Sequence, residues 1–227
     1  MKLRQKEKKM KVTFDRIKND EAIRAYIKAA DDSLLSLGYT EHSFAHVGKV
    51  SAEAARILEY VGCDKDTVEL ARIAGYMHDI GNLVNREEHS QSGAVMAFRI
   101  LDNMGMSPED IATVVTAIGN HDEGTGVPVN AVSAALILAD KTDVRRTRVR
   151  NPDLQTFDIH DRVNYSVVDS RLELEEKDVR LSLVINTDIS SIMDYFEIFL
   201  VRMTMCRRAA EKLGLTFRLT INEQSFI

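Results

Sequence analysis

The order of apolar and polar positions divides the chain into two textures. From Phe14 to about Asn151, apolar residues recur at helical spacing, with Gly or Pro punctuating the segments. The spacing predicts a helix over 19–37 ending at Gly38, and another over 42–61 stopping at Gly62. The second carries Val47, Val50, Ala54, Ile57 and Val61 on one face. Asp66 stands where it can cap a helix over 68–80 that closes at Gly81. A helix over 89–103 follows, and Ser107-Pro108 supply the cap and first position of one running to about His121. After the loop at 122–128, residues 131–143 read as a further helix.

Beyond Asn151-Pro152 the period shortens to two. Leu172 and Leu174, then Val179, Leu181, Leu183 and Ile185, alternate on either side of Glu175-Glu176-Lys177-Asp178, which predicts a hairpin. Residues 188–213 return to helical spacing, with Ile192, Phe196, Phe199, Leu200 and Met203 as the apolar face, and 215–221 read as a last strand. The expected architecture is mainly α: a helical body over 1–160, its core at about 40–145, and a small C-terminal α+β appendage over 161–227.

Composition narrows the class. The 227 residues are 44% hydrophobic and 29% charged, enough to bury a sizeable core and unlike collagenous or disordered chains. Cys63 and Cys206 are too few for a disulfide framework or a Cys-rich zinc module. No apolar run approaches the ~20 residues of a membrane helix, and the basic start at 1–9 lacks a signal peptide's apolar stretch. A cytoplasmic protein without a membrane partner is the expectation. A net charge of −5 argues against duplex nucleic acid as a partner. The basic start reads as a solvated helix beginning. Arg145, Arg146, Arg148 and Arg150 read either as a grip on a second phosphate or as a solvated basic loop.

The chemistry lies in the histidines. His46, His89 and His121 continue stripes that face the core, as does Asp140 beyond Val132, Leu136 and Ala139. His78 and Asp79 are adjacent and lean toward one point. Taken singly, each His reads as an ordinary core histidine and Asp140 as half of an ion pair. Together they form a set of buried ionisable groups whose cost a shared divalent cation removes. Imidazole and carboxylate donors without thiolate suit Mn²⁺, Fe²⁺ or a similar ion. His160 has no such context and reads as a surface residue.

His46, then Met77-His78-Asp79-Ile80-Gly81, then Ala139-Asp140-Lys141, resemble the H…HD…D signature of the HD-domain metal-dependent phosphohydrolases. The resemblance implies an HD-type helical bundle. His89 and His121 resemble the two additional histidines of binuclear members. It further implies that His46, His78, Asp79 and Asp140 hold one ion, and that Asp79 bridges to a second held by His89 and His121. Asn82 stands where many binuclear members carry a lysine. Residues 121–128 are a shortened form of the HD-GYP subgroup motif with Val127 in place of its tyrosine, so hydrolysis of a cyclic dinucleotide is not assigned. His42, one turn before His46, competes with it as first ligand; the valine spacing favours His46.

The expected function is metal-dependent hydrolysis of a phosphate ester or anhydride, of a nucleotide or related small molecule, by a hydroxide bridging the ions. His78 and Asp79 carry the catalytic role. Asn82, Arg86, Lys141, Arg145 and Arg146 are the candidate phosphate contacts; for Lys141 a surface ion pair is the competing reading. A silent HD module that binds a nucleotide or partner, and a metal-free structural helical protein, are the alternatives. A homodimer is a possible assembly.

Overall fold

A computed structural model describes residues 11–227, so the basic run at 1–9 lies outside the described residues. The helical body comprises α1 (Phe14–Lys18), α2 (Glu21–Ser36), α3 (Phe44–Tyr60), α4 (Lys65–Met77), α5 (His89–Met104), α6 (Pro108–Gly119), α7 (Ala131–Lys141) and α8 (Ile159–Ser166). Starts are set by side chains that accept otherwise unpaired backbone N–H groups: Asp20, Ser43, Asp64, Ser107 and Asn130 each cap a helix. The α4 cap is Asp64, not Asp66, because the Asp64 carboxylate takes the N–H groups of both Asp66 and Thr67. That helix also ends earlier than its periodicity suggests. It stops at Met77, and Ile80–Leu83 form a separate 3-10 turn.

Helix α7 is apolar on every side, and its position follows from that. All of Val132 to Ala139 is buried, with α3, α4 and α6 packed around it and a long C-terminal helix, α9 (Ile192–Lys212), on the remaining side. Helix α9 buries Tyr195, Phe199, Met203, Met205, Cys206, Ala209 and Ala210. Leu200, expected on the apolar face, is instead 56% exposed, and Tyr195 takes the inward position.

The strands β1 (Val167–Glu175), β2 (Asp178–Ile185), β3 (Thr216–Ile221) and β4 (Gln224–Ser225) form one sheet in that order. The hairpin β1–β2 is antiparallel, β2 and β3 are parallel across the α9 crossover, and β4 returns antiparallel. Val179, Leu181, Leu183 and Ile185 of β2, with Phe217, Leu219 and Ile221 of β3, supply the buried face. The Arg56 guanidinium and the Tyr60 hydroxyl of α3 donate to the carbonyls of Leu172 and Glu176, tying the hairpin to the body. Position 160, the expected division of the chain, falls inside α8. Among the described residues no helix is long and apolar enough to cross a membrane.

Candidate metal centre

Six side chains far apart in sequence meet where helix ends converge. His46 lies in the first turn of α3, His78 caps the end of α4, and Asp79 leads into the 3-10 turn. His89 opens α5, His121 follows the end of α6, and Asp140 sits in the last turn of α7. The site is thus built from helix termini rather than from stripes along helices. Two close approaches make this possible. A Cβ on Gly75 would stand 2.7 Å from the Ser51 backbone, and one on Gly81 would stand 2.0 Å from the His89 carbonyl. Only glycine lets α4 cross α3, and the 3-10 turn meet α5, at these distances.

Asp79 is central and uses its two oxygens differently. Its Oδ2 lies 3.2 Å from His78 Nε2 and 3.5 Å from His46 Nε2. Its Oδ1 lies 3.5 Å from His89 Nε2 and 3.9 Å from His121 Nε2. Asp140 Oδ1 closes the first group, 3.3 Å from His46 Nε2 and 3.6 Å from His78 Nε2. In the second group the Nε2 atoms of His89 and His121 face each other at 3.2 Å.

The tautomers follow from the other ring nitrogens. His78, His89 and His121 each present Nδ1 to the backbone carbonyl three residues back, of Gly75, Arg86 and Ile118, at 2.8, 3.1 and 2.6 Å. His46 Nδ1 meets Asp143 Oδ2 at 2.9 Å. A carbonyl or carboxylate can only accept, so each Nδ1 carries a proton, and each ring in its neutral form turns an Nε2 lone pair inward. Four imidazole lone pairs therefore face two carboxylates and one another. Among the described residues His46 Nε2, His78 Nε2 and Asp79 Oδ2 are buried with no hydrogen-bond partner. Such an arrangement of acceptors is repulsive unless positive charge lies among them. His46, His78 and Asp140 form one group of suitable donors, and His78, Asp79 and His121 another. With six N and O donors and no thiolate, the residues fit a borderline-to-hard divalent cation.

The electrostatics agree. Burial alone would lower the His78 pKa, but the facing Asp79 and Asp140 carboxylates carry it up to about 10, a proton taking the place of a cation. Burial, with His78 and Lys141 nearby, pushes His121 down to about 3. Against the same burial, neighbouring imidazoles hold Asp79, and Lys141 with the imidazoles holds Asp140, well below the usual carboxylate range.

A second layer of residues fixes the first. Asp143 is fully buried and takes Lys49 Nζ and Arg145 Nε, each at 2.7 Å, while Arg148 donates to its backbone carbonyl. Asn82 Nδ2 donates to both Asp79 O and Asp79 Oδ1 at 3.0 Å, which aims the carboxylate.

The centre opens on a cavity of about 330 Å³ bordered by Asp79, His89, His121 and Asp140. Of the candidate phosphate contacts, Arg86 and Lys141 line it. Arg145 and Arg146 do not: Arg145 is held by Asp143 and Glu41, and Arg146 donates to the Tyr165 carbonyl and stacks on that ring. Asn82 is turned inward to Asp79 rather than toward the cavity. Lys141 is 6% exposed, so its pairs with Asp140 at 2.8 Å and Glu123 at 3.3 Å are buried, not superficial. His42 lines the cavity beside His46, its Nδ1 donating to the Thr40 carbonyl. His160, exposed as expected, stands at the cavity wall.

Sequence reasoning missed Arg202 and Phe199 of α9 and Asp158, Asp161 and Asn164 of the α8 region, all of which line the cavity. A charged residue inside an otherwise apolar helical face was the available signal for Arg202. The others carry no local signal, since only the packing of α8 and α9 brings them to the site.

The HD domain family model matches residues 40–165, more than half of the chain. The chain belongs to the HD-domain superfamily of metal-dependent phosphohydrolases. It is similar to an uncharacterized protein, MJ1020, of Methanocaldococcus jannaschii, at 24% identity over 205 residues and 78% of each chain. It is also similar to ribonuclease Y of Aliarcobacter butzleri, at 29% identity over 167 residues, which are 66% of this chain but 30% of that protein. A crystal structure described as a predicted HD superfamily hydrolase from an uncultured Thermotogales bacterium shares 24% identity. It covers 58% of this chain and 73% of its own, with a TM-score of 0.42.

Proposed function

We propose that the protein is a binuclear metal-dependent hydrolase of a phosphate ester or anhydride in a small molecule such as a nucleotide. The observation that carries this reading is the set of inward Nε2 lone pairs grouped about both oxygens of Asp79. Bound divalent ions would supply charge neutralisation at phosphorus and acidify water at neutral pH. His46, His78 and Asp140 with Asp79 Oδ2 would hold one ion, and His89 and His121 with Asp79 Oδ1 the other.

The remaining residues act on substrate. Arg86, whose Nη1 lies 3.5 Å from His89 Nε2, and Lys141, beside Asp140, present positive charge to non-bridging phosphate oxygens. Buried Phe199 supplies an apolar side chain to the same cavity. At about 330 Å³ the space is at the small end of ligand pockets and suits one compact molecule.

Metal analysis of the purified chain, followed by hydrolysis assays over a panel of phosphorylated small molecules, tests the reading. Bound transition metal and metal-stimulated phosphate release are expected, and Asp79→Ala should abolish both, since it removes the group shared by the two donor sets. Metal uptake and nucleotide binding without turnover would favour a silent binding module. A chain that takes up no metal would refute both.

A further inference from the structure

Lys141 and Arg202 border the cavity on which the metal centre opens, an unfavourable place for cations beside bound divalent ions. The Lys141 ammonium lies 2.8 Å from Asp140 Oδ2, while Oδ1 of the same carboxylate faces His46 and His78. A positive charge on the outer oxygen of a ligand opposes a second one on its inner oxygen. The Lys141 and Asp140 side chains are only 6% and 11% exposed, so solvent screens that repulsion weakly. Arg202 adds a further positive charge from α9, stacked on the Phe199 ring at 4.7 Å.

One carboxylate answers both cations. Glu123 Oε2 lies 3.3 Å from Lys141 Nζ, and Glu123 Oε1, a buried atom, lies 2.5 Å from Arg202 Nε. Glu123 itself does not border the cavity. Contacts therefore run Arg202–Glu123–Lys141–Asp140, alternating in sign, from α9 to the metal centre. The local chain places Glu123 two residues after His121. The Gly126 N–H donates to the Asp122 carbonyl at 2.9 Å, and a Cβ on Gly126 would stand 2.4 Å from the Asn120 and Asp122 carbonyls and from Met205 Cε of α9. Only glycine lets the turn close against α9 in this way, which holds Glu123 beside the helix that carries Arg202.

We propose that Glu123 is a positioning residue of the metal centre: it neutralises and holds Lys141 and Arg202, so that two cations stand at the cavity without weakening the bound ions. Glu123 acts on the centre through Lys141, which in turn fixes the outer oxygen of Asp140. The proposal rests on the metal-dependent reading above.

Calorimetric titration of the full chain with Mn²⁺ alone tests this, on wild type, Glu123→Gln, Lys141→Gln and the double variant, with unfolding in chelator as the separate reading of the fold. Glu123→Gln keeps the size of the side chain and removes its charge, and should weaken Mn²⁺ binding about tenfold. Adding Lys141→Gln should recover most of that loss, because the uncompensated cation is gone. A purely structural role for Glu123 predicts the opposite, a further loss from a second substitution in the same buried contact. Glu123→Asp, which keeps the charge, should lose less than Glu123→Gln. If Glu123→Gln does not fold alone, the double variant is compared with Lys141→Gln, and the two should agree within about threefold. Wild-type affinity in Glu123→Gln, a double variant no tighter than Glu123→Gln, or a larger loss in the Lys141→Gln background would each overturn the proposal and leave the metal-dependent reading standing. A wild-type chain that binds no Mn²⁺ would overturn both.

Discussion

At the scale of single residues, the centre is specified by what each imidazole does with its other nitrogen. Three histidines use the carbonyl three residues back, a device that travels with the local chain. His46 depends instead on Asp143, which is distant in sequence. Asp143→Asn should therefore weaken metal binding about 10- to 100-fold while leaving all six proposed ligands in place, as metal titration would read. The same groups predict how the chelated protein responds to pH. His78, raised to about 10 from 6.5, gives stability that is complete below 6.5 and is lost as pH climbs toward 10. His121, lowered to about 3, gives stability present above 6.5 and lost as pH falls. The depressed carboxylates of Asp79 and Asp140 add to the acid-side loss. Thermal unfolding in chelator should thus show a maximum near neutrality, and a profile that rises steadily into alkali would contradict it. His46, His89, His121 and Asp140 stood out because ionisable groups that continue apolar stripes are conspicuous, and His78-Asp79 because the two stand side by side. Arg145 and Arg146 misled because a run of basic residues looks the same whether its guanidinium groups face a cavity or, as here, Asp143 and Tyr165.

At the scale of elements, the helix–turn–helix passage from α4 into α5 positions His78, Asp79 and His89 together. Gly81 does not merely end a helix. It lets the 3-10 turn approach the His89 carbonyl and Gly93 more closely than any Cβ permits. Gly81→Ala must move backbone, so it should destabilise the fold by about 1–3 kcal/mol and lower metal affinity, measured by denaturant unfolding and metal titration on the same sample. Unchanged values for both would show that the close approach is dispensable. Periodicity located most helices to within a few residues but carried α4 past its end, because Ile80 continues the apolar spacing after the helix has stopped at Met77. Helix α8 was not anticipated at all. Its eight residues, polar on balance, show too short a repeat to stand out, and its start depends on the Asp158 cap.

For the whole molecule, α7 and α9 join the two textures of the chain. Asp140 stands on α7, and α9 packs against α7 while bridging to β3. The α+β segment is thereby part of the core that holds the centre, and it supplies Phe199 and Arg202 to the cavity. Phe199→Ala, at a fully buried position, should cost about 3–5 kcal/mol by denaturant unfolding. A loss below about 1 kcal/mol would mean that α9 packs loosely on the body. The most direct test of the metal centre is elemental analysis of the folded chain after chelation and return of Mn²⁺, alongside its melting temperature. Wild-type protein should take up two ions per chain and melt roughly 10–20 °C higher than the chelated form, as expected for two ions each held at about a hundred times its dissociation constant. Asp79→Ala should do neither. A folded wild-type chain that retains no ion and melts at the same temperature with and without it would contradict the account.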